Sequence, residues 1–241
     1  MEELVPIPTA ARTFTSRRVV RLADMDVWGR VRLDAIARYL QDVAIEDVDE
    51  TGWGAPEHLW FVRSIRVDVL TPLVEDREVE LVTWCSGLAA VAAGRRWSVT
   101  GDGGGRVEVD SVWIHLDSEG RPARIEDFGV YAQATGGRSV STKLSLAEPV
   151  EPEVVVPWPL RATDVDLHGH ANNAVHWQAV EHVLPGGGPD PRLPLRARLD
   201  YREPIDLGQR VDLAVARDGE QTTLALRADG RTKAIAVAEP L

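Results

Sequence analysis

The sequence predicts an α+β fold of two similar units in tandem, each an antiparallel sheet wrapped around one long helix. Three observations carry this reading. At 241 residues the chain has room for one large domain or two small ones. It repeats itself: RLADMDVWGR (21–30) returns as RATDVDLHGH (161–170), and RVDVLTPLVEDREVEL (66–81) returns as RLDYREPIDLGQRVDL (198–213). Each copy also holds one stretch of helical periodicity followed by runs that alternate apolar and polar residues, as half-buried antiparallel strands do.

The first repeat match aligns Arg21 with Arg161, Asp24 with Asp164, Asp26 with Asp166 and Gly29 with Gly169. The second aligns Arg66 with Arg198, Asp68 with Asp200, Pro72 with Pro204, Val79 with Val211 and Leu81 with Leu213. Two matches in the same order describe a duplicated unit of ~110 residues. The units are expected at 1–130 and 153–241. The connector is expected at 131–152, where Gly136, Gly137, Pro149 and Pro152 interrupt any regular element.

Each unit opens with a strand, about 14–22 or 153–162, that leads into the Asp-x-Asp turn. A helix follows. In LDAIARYLQDVAIEDV, Leu33, Ile36, Ala37, Leu40, Val43 and Ala44 recur at three- and four-residue spacing, the mark of one buried face. The second helix is expected from about Asn172 to Leu184, stopped by PGGGPDP. Four strands then follow in each unit: WFVRSIRVDVL, VELVTW, RRWSVTG and RVEVDSVWIHL, then LRARLDY, RVDLAVA, TTLALRA and TKAIAVA. GDGGG (101–105) is expected to be a hairpin turn. It lacks the Gly-Lys-Ser/Thr of a phosphate loop and no helix follows it.

Composition excludes several classes. Hydrophobic residues make up 44% of the chain, enough for a core, so wholesale disorder is excluded. Cys85 is the one cysteine, which rules out an intrachain disulfide or a multi-cysteine metal site. A formal charge of −11 argues against a general nucleic-acid binder, which needs a basic face. Of 27 basic residues, only Lys143 and Lys233 are lysines. The start, MEELVPIPTA, is acidic where a signal peptide is basic, and no apolar run approaches the ~18 residues of a membrane span. A soluble cytoplasmic protein is expected.

The richest chemistry lies in TDVDLHGHANNAVHWQAVEH (163–182), which holds four of the six histidines: His168, His170, His176 and His182. Gly169 allows a tight turn into the helix. The first helical turn offers unpaired N–H groups and the positive end of the dipole, donors ready for a developing oxyanion. A carboxylate and an imidazole beside it could handle a proton, so acyl hydrolysis has its parts here. A calcium loop starting at Asp164 would need an acid at its twelfth position, where Val175 stands. His168 and His170, alternate residues before a helix, are not a common metal chelate, and no metal or other cofactor is expected. Asp164 reads as a turn cap, His176 and Trp177 as packing, His182 as a helix-end residue and Glu181 as a solvated helix glutamate.

With these residues in hand, the sequence resembles the acyl-acyl carrier protein thioesterase family, the double hotdog enzymes of plants and bacteria. The similarity runs through RYLQDVA (38–44), WFVRSIRVDV (60–69), EVELVTW (78–84), RRW (95–97), SVWIHLDSEGRPAR (111–124), DVDLHGHANN (164–173) and LDYREPIDLG (199–208). The resemblance implies a tandem double hotdog and a thioester hydrolase that frees a fatty acid from acyl carrier protein or coenzyme A. The family pattern Asp-x-Asn-x-His-x-Asn-Asn falls on Asp166, His170, Asn172 and Asn173, with His168 in place of the first asparagine. The family's Tyr-x-x-Glu, counted from Tyr201, ends on Pro204; Glu203 lies one residue earlier and fits the role only through a bulged strand. In the first unit Trp28 and Arg30 stand where the second has His168 and His170. This implies one active site, with the acyl chain held by the first unit and Trp28, Trp53, Trp60 and Trp84 as candidate lining.

On this reading Asp166, His168, His170 and Glu203 are the candidate catalytic residues. Backbone N–H groups near His170 and Ala171 would hold the oxyanion, Asp166 would act as base or orient water, and His170 would polarise the carbonyl or shuttle a proton. Asn172 and Asn173 would shape the turn and the substrate seat, while Cys85, in a first-unit strand, is a poor nucleophile candidate. An acidic carrier protein would need an arginine patch for docking, with Arg12, Arg17, Arg18 and Arg21 or Arg192, Arg196, Arg198 and Arg202 as candidates. One chain would act as a pseudo-dimer, alone or paired. A hotdog hydratase or dehydratase and a non-catalytic acyl-thioester-binding module stay open beside the hydrolase.

Overall fold

A computed structural model describes residues 4–52, 59–184 and 188–241. Trp53 and residues 185–187 of the expected helix stop lie outside them. The order of elements is β1 (Phe14–Val19), α1 (Leu33–Thr51), β2 (Leu59–Thr71), β3 (Glu78–Ala89), β4 (Ala92–Gly101), β5 (Arg106–Leu116), β6 (Val154–Pro157), α2 (Asn173–Val183), β7 (Leu195–Tyr201), β8 (Val211–Asp218), β9 (Gln221–Ala228) and β10 (Arg231–Pro240). The helix-plus-strands layout holds in both units. β1 and β6 are shorter than expected, because the chain turns into a short 3-10 helix at 22–24 and again at 162–164. β3 runs five residues past Trp84, through a bulge at Ser86 and a Gly87–Gly94 pair with β4, which together break the alternating pattern.

The ten strands form one sheet in the order β1-β3-β4-β5-β2-β7-β10-β9-β8-β6. Read from the middle outward, the halves repeat: β2, β5, β4, β3, β1 on one side and β7, β10, β9, β8, β6 on the other. At the central antiparallel pair, Arg66 lies directly opposite Arg198, the residue it matches in the repeat. A pseudo-twofold axis therefore passes between them and turns each unit into the other. The fold is a double hotdog.

The same symmetry appears bond by bond in the two entry turns. Asp26 N–H donates to Arg30 O at 2.8 Å, and Asp166 N–H to His170 O at 2.9 Å. Val31 N–H donates to Leu73 O at 2.9 Å, and Ala171 N–H to Ile205 O at 2.8 Å. Gly29 (φ +79°) and Gly169 (φ +82°) close these turns in the left-handed region that glycine enters without strain.

Leu33, Ile36, Leu40 and Val43 of α1 are buried, with Ala37 and Ala44 half-buried beside them, against Val67, Val99, Val107 and Val109 of the sheet. Truncating such a residue typically costs about 2–5 kcal/mol. Trp177, Val180 and Val183 do the same work in α2. The two helices pack against each other over the pseudo-axis. This contact brings the start of α1 to the body of α2, where Glu181 takes the Leu33 N–H.

The expected connector lies along the sheet. A 3-10 helix at Gly129–Thr135 buries Tyr131 and Ala134 against Cys85. Further on, Ser145 and Leu146 donate their N–H groups to Asp200 Oδ2 at 2.9 and 2.8 Å.

Candidate active site

The turn from Asp164 into α2 gathers most of the candidate residues. Asp166 Oδ1 accepts the His168 N–H at 2.9 Å. Asp26 accepts the Trp28 N–H in the same way, also at 2.9 Å. One oxygen of Asp166 thus holds the turn, as Asp26 does in the first unit, whose turn carries no histidine. Asn172 is the N-cap of α2, its side-chain oxygen accepting the Ala174 N–H at 2.9 Å. This satisfies one donor of the first turn. His168 is exposed.

His170 Nδ1 lies 2.7 Å from Asp206 Oδ1, with both side chains about half exposed (44% and 54%). A carboxylate can only accept, so this pairing puts the proton on Nδ1 and leaves the Nε2 lone pair facing outward. Sequence reasoning missed Asp206. It sits in the turn after β7, bridged to His170 through the backbone. Its repeat partner is Val74, bridged to Arg30 in the same way. The repeat pairs the two positions, but a valine at one of them gave no sign of the chemistry at the other.

Glu203 is directed elsewhere. Its oxygens pair with Arg231 Nη2 at 2.7 Å and Lys233 Nζ at 2.8 Å on β10. The Lys233 hydrogen bond leads the causes that hold its carboxyl below the usual range. Just past β7 the Arg202 and Glu203 N–H groups share Lys233 O, at 2.8 and 3.2 Å, yet the Glu203 carboxylate stays on β10; Asp206 stands against His170 instead.

Of the expected oxyanion donors, Ala171 is taken. The Ala171 N–H is committed to Ile205 O at 2.8 Å. Asn173, the first residue of α2, donates its N–H to no acceptor among the described residues, while its carbonyl takes the Tyr201 hydroxyl at 3.1 Å. Among the described residues the expected His170 N–H is likewise without an acceptor, so the donors left free flank Ala171 at His170 and Asn173. His176 is wholly buried, edge-on to Tyr201 at 5.0 Å, and burial pushes its pKa down to about 4. It is a neutral core residue.

In the first unit the same place is closed. Arg30 donates to Asp26 Oδ2 at 3.0 Å and to Glu181 Oε2 at 2.6 Å. Glu181 Oε1 accepts the Leu33 N–H at 2.6 Å, at the start of α1. Glu181, expected in solvent, is 11% exposed and joins the two units. The helix-to-helix contact, invisible to spacing within one helix, accounts for the difference.

Trp28 is exposed at 46% and carries the Arg192 guanidinium 5.5 Å from its ring. Trp60 is half-buried against His115 and Phe128, at 5.2 and 6.1 Å between ring centroids. Trp84 is buried beneath Arg96. Burial pushes the Cys85 thiol up to about 11, so a thiolate is disfavoured.

The expected arginine patches are largely occupied. Arg12 pairs with Asp47 and Glu50, Arg17 with Glu78 and Glu80, and Arg18 with Glu46. Arg192 pairs with Asp190, Arg196 with Asp68, Arg198 with Glu239 and Arg202 with Glu148. Composition counted the arginines; their acids come from neighbouring strands for Arg17, Arg196 and Arg198, and from α1 for Arg12 and Arg18.

Comparison with known proteins agrees with this architecture. A protein of Mycobacterium tuberculosis described as uncharacterised is 29% identical over 209 residues, covering 86% of this chain and 83% of the relative. The structure of a putative oleoyl thioesterase from Lactobacillus plantarum superposes with a TM-score of 0.77 at 17% identity, covering 97% of this chain and 98% of that one. The 12:0-ACP thioesterase of Umbellularia californica gives 0.77 at 16% identity, covering 94% and 96%. These structural likenesses show the fold. The acyl-ACP thioesterase N-terminal domain matches residues 11–129 and the C-terminal domain matches residues 147–238. With the two domains matched in order over most of its length, this chain belongs to the acyl-ACP thioesterase family.

Proposed function

We propose that this protein hydrolyses a fatty acyl thioester, with water attacking the carbonyl at the start of α2 under the control of His170 and Asp206. Family membership gives the thioester hydrolase activity and acyl carrier protein as the carrier class. The observation that carries the residue assignment is the 2.7 Å pairing of His170 Nδ1 with Asp206. It sits beside a helix start whose Asn173 N–H has no acceptor among the described residues.

The steps follow from these groups. The thioester oxygen accepts the Asn173 N–H at the positive end of α2, where developing negative charge is stabilised. His170 Nε2 takes a proton from water as the water oxygen bonds to the carbonyl carbon. The resulting imidazolium is held by Asp206. Collapse of the tetrahedral intermediate breaks the carbon–sulfur bond, and the imidazolium returns the proton to the departing thiolate. The products are a fatty acid and the carrier thiol. Asp166 and Asn172 hold the turn and the cap that aim these groups, and the first unit, with Trp60 half-buried, is the proposed seat of the acyl chain.

Pro204 at the family glutamate position, with Glu203 drawn to β10, supports one other reading, an acyl-thioester-binding module without turnover. Among the described residues no helix is long and apolar enough to cross a membrane. The cytoplasm is the proposed location. Purified protein offered a panel of acyl chains on acyl carrier protein and on coenzyme A, with thiol release measured, tests the proposal. Release identifies chain and carrier; tight binding without release establishes the module.

A further inference from the structure

The pseudo-twofold axis relates more than the two entry turns. It exchanges Leu33 with Asn173 and Glu181 with Gln41, because each pair is 140 residues apart, as are Arg30 and His170. In the first unit, Glu181 reaches across from α2 and places Oε1 2.6 Å from the Leu33 N–H. That oxygen occupies the seat an anion would take at the start of α1. The same symmetry makes Gln41 the α1 counterpart of Glu181, and Asn173 the α2 counterpart of Leu33. Gln41 is half-buried and has no hydrogen-bond partner among the described residues. The Asn173 N–H is likewise without an acceptor among them.

We infer that Gln41, from the first unit, is a catalytic residue of the second-unit site: its carboxamide N–H is the second donor, with the Asn173 N–H, to the thioester oxygen. This rests on the thioesterase reading above. The chemistry explains the difference between the two positions. Glu181 brings a carboxylate, which can only accept; it fills the seat and is balanced by Arg30. Gln41 brings a neutral amide of nearly the same shape. It can donate, and it adds no negative charge where an oxyanion forms. A carboxylate at position 41 would occupy the donor and repel the transition state. One unit is thus closed by an acid and a base, and the other is left open with an amide and an imidazole.

The test compares wild type, Gln41→Glu, Gln41→Ala and His170→Ala, reading thiol release from acyl carrier protein thioesters together with the amide NMR spectrum. Gln41→Glu is expected to lower kcat by ~10²–10³, the usual effect of losing an oxyanion donor, with thermal stability kept or raised. Gln41→Ala is expected to lower kcat in the same direction with KM little changed. In Gln41→Glu the Asn173 amide proton is expected to move downfield toward the position of the Leu33 amide, as both then face a carboxylate. An unmoved Asn173 amide overturns the inference whatever the turnover. If wild type releases thiol, His170→Ala does not, and both Gln41 variants turn over like wild type, the Gln41 role is overturned while the hydrolase reading stands. If wild type releases no thiol, the hydrolase reading fails and the catalytic role of Gln41 falls with it, even where the amide shift upholds the geometry.

Discussion

His170 Nδ1 and Asp206 Oδ1 lie 2.7 Å apart, joining the turn that opens α2 to the turn that follows β7. The pair fixes the imidazole tautomer and aims Nε2 away from the carboxylate. Asp206→Asn keeps the shape and removes the charge that holds the imidazolium. Its kcat is expected to fall by about 10²–10⁴, the range of general acid–base contributions, with KM and melting temperature little changed. Steady-state kinetics beside a thermal melt checks this; an unchanged kcat contradicts the pairing's role.

Arg30 is 2% exposed and lies between Asp26 and Glu181. Arg30→Met leaves two half-buried carboxylates without their cation, and the expected loss is about 3–5 kcal/mol. Adding Glu181→Gln is expected to return part of it. Urea unfolding of the single and double variants measures both; additive losses would show that the two residues act independently.

His176 carries a pH dependence of stability. Its pKa is about 4 in the folded protein, against about 6.5 when the chain is unfolded. Below pH ~6.5 the unfolded state binds a proton that the folded state refuses. Stability attributable to His176 therefore falls as pH drops from ~6.5 toward ~4, by about 3 kcal/mol in all. His176→Phe is expected to flatten that part of the curve, read from denaturant midpoints at several pH values. Parallel curves for wild type and variant would contradict the assignment.

Cys85 is buried, its thiol raised to about 11. Native protein is expected to resist a thiol reagent that reacts once the chain is unfolded. Cys85→Ala is expected to turn over like wild type. Rapid labelling with matching loss of activity would point to a sulfur nucleophile.

The duplication was legible because it is written in local rules. The Asp-x-Asp-x-x-Gly turn, the periodicity of Leu33–Val43 and the alternation of β2 and β7 each follow from neighbours in the chain. His170 and the cap Asn172 were legible for the same reason. Asp206, Gln41 and the role of Glu181 were not. Each acts across the pseudo-twofold axis or between separate turns, where spacing along one element carries no signal. Glu203 was misdirected by a one-residue offset: its partners Arg231 and Lys233 lie 28 and 30 residues further on, and only strand pairing brings them beside it. The arginines were visible as a count, but their carboxylate partners depended on sheet register, as with Arg196 and Asp68 across β2 and β7.

The central claim is hydrolysis at the start of α2 through His170. Its most direct test is thiol release from acyl carrier protein thioesters by wild type and by His170→Ala, each shown to be folded by circular dichroism. Wild type is expected to release thiol with turnover, and the variant to lose at least ~10²-fold in kcat. Equal turnover by the two folded proteins would contradict the claim.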